Sequence, residues 1–381
     1  MEKPVEEKKE NMILKFLKEL FIYIVIGGII GIVLVFLDVR YGLTFFFDKL
    51  DQIEVSFITF ILLIIISSFI NINIHEFGHF LFGKILGYKL MSYRFGIFSW
   101  NNQNGKMKFS IMINKGYSGL CAMLPPNKDM SKKIEALYYS GGIIFNLFFM
   151  FLAFIIADFF SDFTIINNLL LISAFLSGAM AIINFLPFNS GNNPTDGKII
   201  WSILLKKPFA AKLLEINKVV SQLTVGIRPS KLKISFSDDK DNIESSDLLI
   251  IFYLYFKAVD EKNEDKILEY VNILENNIDL FPEPALPSLY YELCFQACIS
   301  KKQEKAKKYY KKAGRFLQKD QDVNGLRVKA YYEYYVNYDK ERALSYGNEA
   351  LAVVDKYPLK GQAKMEEDLV RELIKKIELL N

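Results

Sequence analysis

Apolar residues fall into four long runs in the first half of this chain and into short periodic clusters in the second. The runs cover Leu20–Leu37, Val55–Ile74, Ala136–Ala157 and Phe163–Pro187. A helix needs about 20 apolar residues to cross a bilayer core, so each run predicts a transmembrane helix. Gly27 and Gly31 in the first run form a GxxxG pair suited to close helix packing. Between the second and third runs, "KMKFSI" alternates strictly, with Lys106, Lys108 and Ser110 opposite Met107, Phe109 and Ile111. The preceding "NNQNG" is a turn signal, so a β-hairpin is expected there, lying on the cytoplasmic membrane face. A free edge of that hairpin could hold a substrate in extended form by strand addition. From Lys207 to Ser245 the chain reads as a connector ending in the loop-rich "GIRPSKLKISFSDDKDN", and from Ser246 the pattern turns helical.

In this last part Ala306, Tyr310 and Ala313 are matched by Ala343, Gly347 and Ala350 37 residues later, and preceded by Ile267, Val271 and Leu274 39 residues earlier. The spacing resembles the second helix of tetratricopeptide repeats, whose usual period is about 34 residues. Three such helix pairs and a final helix near Glu366 to Leu380 would bury a continuous core, and tyrosines left over could line a groove for peptide. The expected fold is therefore mainly α. It comprises a polytopic membrane domain of about four transmembrane helices with a small hairpin (residues 1–206), a connector (207–245) and a soluble helical repeat domain (246–381).

Charge placement orients the membrane half. Five lysines from Lys3 to Lys18 precede the first run, and nine lysines and arginines from Lys84 to Lys133 separate the second from the third. Only Arg40 and Lys49 lie between the first and second, and none between the third and fourth. The positive-inside rule places both termini in the cytoplasm, in a multi-pass cell-membrane protein. The first run, preceded by Lys15 and Lys18, is not followed by a small-residue cleavage site, so a retained helix is expected rather than a signal peptide. The net charge of +4 over 381 residues gives no argument for a nucleic-acid partner. Three cysteines, Cys121, Cys294 and Cys298, make no disulfide framework.

The only two histidines, His75 and His79, stand in "HEFGH" at the inner end of the second run. Residues four apart share a helix face, so both imidazoles can reach one metal ion. Glu76 lies beside them, placed to take a proton from a metal-bound water. Ionisable groups at membrane depth are costly and tend to be functional. A catalytic zinc site commonly has three protein ligands, and no third histidine exists. Asp158 and Asp162 fall at the outer end of the third run. Asp196, in "NPTDGK", follows the fourth run on the side of His75, although it could also be an ordinary helix N-cap. Asn146 lies in an apolar run, where its amide must find a partner, a helix–helix hydrogen bond being the plain alternative. Pro187 should end or kink the fourth helix.

Together "HEFGH", "SGGIIFN" (Ser140–Asn146) and "NFLPFNSGNNPTDG" (Asn184–Gly197) resemble the signatures of the site-2 protease family of intramembrane zinc metalloproteases. The resemblance runs from Ile53 to about Ile200. It implies that His75, His79 and Asp196 bind one zinc ion and that Glu76 is the general base. It also implies that Asn146 positions substrate or the oxyanion, while Asn184 and Pro187 shape a break in the last core helix. The chain departs from the family at Ile143, where a proline is usual, and in a longer Pro187-to-Asp196 spacing. The expected activity is hydrolysis of a membrane-inserted peptide or protein near the cytoplasmic face, with the repeat domain binding a protein or peptide partner. Two alternatives stand beside it: a non-enzymatic receptor or scaffold working through the repeat domain, and a metal-dependent hydrolase of a non-peptide substrate.

Overall fold

The structure, a computed structural model, describes residues 12–42, 44–103, 105–111, 119–126, 132–190, 193–235 and 243–379. The charge markers Lys3, Lys8, Lys9, Lys115 and Lys128, and part of the loop-rich end of the connector, lie outside them. The chain divides into two compact units, Met1–Gly78 with Gly142–Lys198, and His79–Gly141 with Ile199–Asn381. The dividing lines pass through continuous helices.

The first unit is helical. It holds α1 (Met12–Tyr41), α2 (Phe45–Asp51), most of α3 (Phe57–Ile85) and α4 (Lys132–Phe159), and α5 (Thr164–Phe185). Three helices, α3, α4 and α5, are long and apolar enough to cross a membrane. They contain the third apolar run and most of the second and fourth. The first run lies in α1, which meets the same test only from Gly27 and only together with α2, across a 115° bend. Small residues bring α4 and α5 together: Ala153, Ala157 and Ala174 are buried with Phe154 and Leu171. Gly178 of α5 lies against Met150 of α4. In a bilayer, where no hydrophobic force acts between helices, close packing and interhelical hydrogen bonds of this kind would do this work. Asn71 of α3 supplies one such bond, donating to the carbonyl of Ser173 on α5 at 3.0 Å, while the Ser173 hydroxyl donates to Ser67 Oγ at 2.8 Å. Phe148, Phe151, Ile155 and Phe159 of α4 face outward. Near the α4 C-terminus, Asp158 is engaged by Lys49 of α2.

The second unit contains the expected hairpin, enlarged. β3 (Lys106–Ile111) pairs with β2 (Phe98–Gln103), as the alternation predicts. β1 (Lys89–Phe95) and β4 (Gly119–Leu124) extend this to a four-stranded antiparallel sheet in the order β3-β2-β1-β4. The stretch read as a connector carries a 17-residue helix, α7 (Pro208–Thr224), with proline at its start where the missing N–H costs nothing. Its Val219 and Leu223 are buried with Leu232, against Tyr253.

Beyond it run α8 (Ser245–Asp260), α9 (Glu264–Asn276), α10 (Leu286–Ile299), α11 (Gln303–Lys319), α12 (Val323–Tyr332), α13 (Lys340–Val353) and α14 (Lys360–Glu378). Consecutive helices pack as α8 with α9, α10 with α11, and α12 with α13, and α14 lies on α12 and α13. The small residues singled out by spacing sit in these contacts: Ala306, Ala313, Ala343 and Ala350 are buried, and a side chain at Gly347 would meet Ile374. At the centre Arg327 is fully enclosed. Its Nη2 donates to Glu292 at 2.6 Å, its Nε to Glu366, and its guanidinium lies 4.1 Å from the Phe295 ring centre.

Candidate metal centre

α3 runs unbroken through His75, Glu76 and His79, so the spacing in the sequence becomes adjacency on one helix. All three are buried, at 7–8% exposure. The third member arrives from the other end of the first unit. α5 stops at Phe185, and Leu186 is extended, as required of a residue before Pro187. The extra length between Pro187 and Asp196 is taken up by a minimal hairpin: β5 (Asn189–Ser190) pairs with β6 (Asn193–Pro194). α6 (Asp196–Leu204) then begins.

Two neighbours aim Asp196. Thr195 Oγ1 donates to the carbonyl of Leu186 at 2.6 Å and accepts from the backbone N–H of Lys198 at 3.2 Å. Thr195 therefore does the capping that was the plain alternative for Asp196, and the Asp196 carboxylate is left for the site. Gly197 lets α6 press onto the end of α5, since a Cβ there would stand 1.9 Å from the Phe185 carbonyl oxygen.

Asp196 Oδ2 lies 3.1 Å from His75 Nε2. The ligand atoms of His75, His79 and Asp196 all lie within 4.8 Å of one another, the only such group found among the described residues. Two ligands bound at about 2.1 Å to one tetrahedral ion sit roughly 3.4 Å apart, so the 3.1 Å separation suits a shared ion. His79 Nδ1 lies 3.2 Å from the Tyr138 carbonyl oxygen. A carbonyl only accepts, so in this contact Nδ1 donates, and Nε2 is the nitrogen available as a ligand atom. That arrangement is the usual support for a metal-bound imidazole. Tyr138 is itself fixed, its hydroxyl donating to the Cys121 carbonyl of β4 at 3.0 Å and its ring stacked on Tyr88 at 4.6 Å. The donor set, two imidazoles and a carboxylate, fits zinc.

Other expected site residues lie outside the ligand group. Asn146 is fully buried on α4. Its backbone carbonyl accepts from Ser177 Oγ, but neither amide atom of its side chain has a hydrogen-bond partner among the described residues. The helix–helix hydrogen bond weighed for that amide is thus not made. Asn184 Nδ2 bonds the Met180 carbonyl one turn back, and Pro187 is exposed. Sequence reasoning missed Thr195, Gly197 and Tyr138. The first two flank Asp196 in a Thr-Asp-Gly run whose cap and close-approach chemistry was available as a signal. Tyr138 acts through its carbonyl, which no sequence pattern reports. No family model, curated protein or solved structure matches this chain.

Proposed function

We propose that the protein is a membrane-embedded zinc metalloprotease, resembling the site-2 protease family, that hydrolyses a peptide bond of a membrane-inserted peptide or protein near the cytoplasmic face. The convergence of His75, His79 and Asp196, with buried Glu76 between the two histidines in sequence, carries this reading. A structural metal site has no need of a base next to its ligands, and this favours an enzyme over a receptor or scaffold.

Zinc held by the three ligands supplies Lewis acidity toward the scissile carbonyl and the attacking water. Glu76 accepts the proton of that water and returns it to the leaving amine, so the carboxylate is regenerated. Tyr138 keeps His79 in one tautomer. The Asn146 amide, buried and with hydrogen-bonding capacity to spare, suits a substrate backbone or the developing oxyanion. The helices from residue 246 onward belong, on this proposal, to a tetratricopeptide-like repeat domain in the cytoplasm that selects or recruits the substrate, and both termini lie on that side.

The decisive variant is Glu76→Gln. It should retain zinc by elemental analysis and lose roughly 10²–10⁴-fold in cleavage of a transmembrane peptide in detergent. Near-normal turnover would remove Glu76 from the mechanism.

A further inference from the structure

Away from the metal ligands, the second unit contains a cleft of about 730 Å³ lined by the start of α4, the α6–α7 turn and α7 itself. Lys132, Lys206, Lys207, Lys218 and Lys233 line it; Lys218 is paired with Glu215 of the same wall at 3.4 Å, and none of the other four has a carboxylate partner among the described residues. Five lysines against two carboxylates, Glu135 and Glu215, leave an excess of positive charge, which raises the local potential and draws an anion.

The wall of the cleft contains the opposite chemistry. Glu135 is fully buried; its Oε1 accepts from Asn217 Nδ2 at 2.8 Å, and its Oε2, also buried, has no hydrogen-bond partner among the described residues. A buried carboxylate oxygen without a donor is costly, and a donor arriving with a ligand would offset that cost. The cleft thus offers several cations and, in Glu135 Oε2, one buried acceptor without a donor among the described residues.

Position selects the ligand. Glu135 immediately precedes the apolar run of α4, at the depth where headgroups lie if α4 spans a membrane. Leu204 and Leu205, next to Lys206 and Lys207, are about 60% exposed. Paired exposed leucines beside paired lysines are the mark of a surface that meets acyl chains and headgroups together.

We propose that this cleft binds the headgroup of an aminophospholipid, its phosphate held by the four lysines and its primary ammonium by Glu135. The ammonium supplies the donor that Oε2 lacks. A trimethylammonium headgroup has no N–H and cannot do so. The site is independent of the proteolytic assignment and requires only that α4 spans the bilayer.

The test uses full-length protein, delipidated in detergent and titrated in mixed micelles with phosphatidylethanolamine, phosphatidylglycerol or phosphatidylcholine, with bound lipid counted by native mass spectrometry. Wild type should hold about one phosphatidylethanolamine more tightly than the other two. Lys206→Gln with Lys207→Gln should weaken all three by about 30-fold, taking roughly 1 kcal/mol per lysine at a charged surface. Glu135→Gln should abolish the preference for phosphatidylethanolamine over phosphatidylglycerol. Should that buried variant fail to fold, the lysine pair, which is exposed, still decides the matter. Equal lipid loading in the double variant, no headgroup preference in wild type, or displacement by inorganic phosphate at the same concentration as lipid would each overturn the proposal.

Discussion

Gly197→Ala puts one methyl group where the structure has no room for it. The new Cβ would stand 1.9 Å from the Phe185 carbonyl oxygen and 2.8 Å from that of Asn184. Real Cβ atoms essentially never come closer than 3.0 Å to a neighbour, so α6 must retreat by at least 3.0 − 1.9 = 1.1 Å. Neither obstacle can swing aside, because both are backbone at the end of α5. Asp196 is the adjacent residue and must move with it. Metal–ligand distances tolerate only about ±0.2 Å, so the displacement exceeds the tolerance several times over. Loss of ligand support typically lowers metal affinity about 10–100-fold, and a 1 Å misplacement costs roughly 10² in rate.

Zinc affinity, measured by competition with a graded chelator series on purified protein, reads the first effect, and cleavage of a transmembrane peptide reads the second. Gly178→Ala is the internal comparison. Its Cβ would lie 2.6 Å from the Met150 sulfur, the far part of a flexible side chain that can rotate away. It should leave zinc affinity unchanged. Wild-type zinc affinity in Gly197→Ala, with helical content preserved by circular dichroism, would refute the claim that Gly197 aims Asp196.

Asp196→Ala should lower zinc content sharply, whereas Asp158→Ala, which removes only the partner of Lys49, should not; elemental analysis of both variants checks this. Burial holds the Glu292 carboxyl above its ordinary range, to about 7, and Glu366 competes with it for the Arg327 guanidinium. The folded state therefore binds more protons than the unfolded chain between the ordinary value of 4.5 and about 7. This contribution is full below that window, falls as pH rises through it by on the order of 1–3 kcal/mol, and is flat above. Melting of the full-length protein between pH 5 and 8 should show the decline, and Glu292→Gln should flatten it; a wild-type profile without slope contradicts the assignment.

The residues of the candidate site were more legible in the sequence than the scaffold that aims them. His75, Glu76 and His79 depend only on helical spacing, which is local, so their burial on one helix followed directly. Asp196 was reached through the direction of the apolar runs. Its aim was not, because it depends on Gly197 meeting the end of α5, a contact between segments that no periodicity encodes. The hairpin around "NNQNG" was visible from alternation, whereas β1 and β4 were not. Arg94 of β1 is buried although charged, and "GLCAML" of β4 is an apolar run without a period of two. α7 was hidden by its lysines, although Ile216, Val219 and Leu223 share a helical face and are buried.

The hydrogen bonds from α3 to α5 have a consequence for biogenesis. Helices in a bilayer insert first and associate afterwards, and such bonds are worth about 0.6 to 2 kcal/mol each. Asn71 and Ser67 stand one and two turns before His75, and Ser173 lies on the helix that leads to Asp196. If α3 and α5 span a bilayer and the centre is catalytic, a nascent chain that has inserted α3 but not yet docked α5 carries two imidazoles and a base but no third ligand. Hydrolytic competence would then appear only when the last span is in place, and the enzyme would pass through the insertion machinery inert toward the unfolded membrane segments around it.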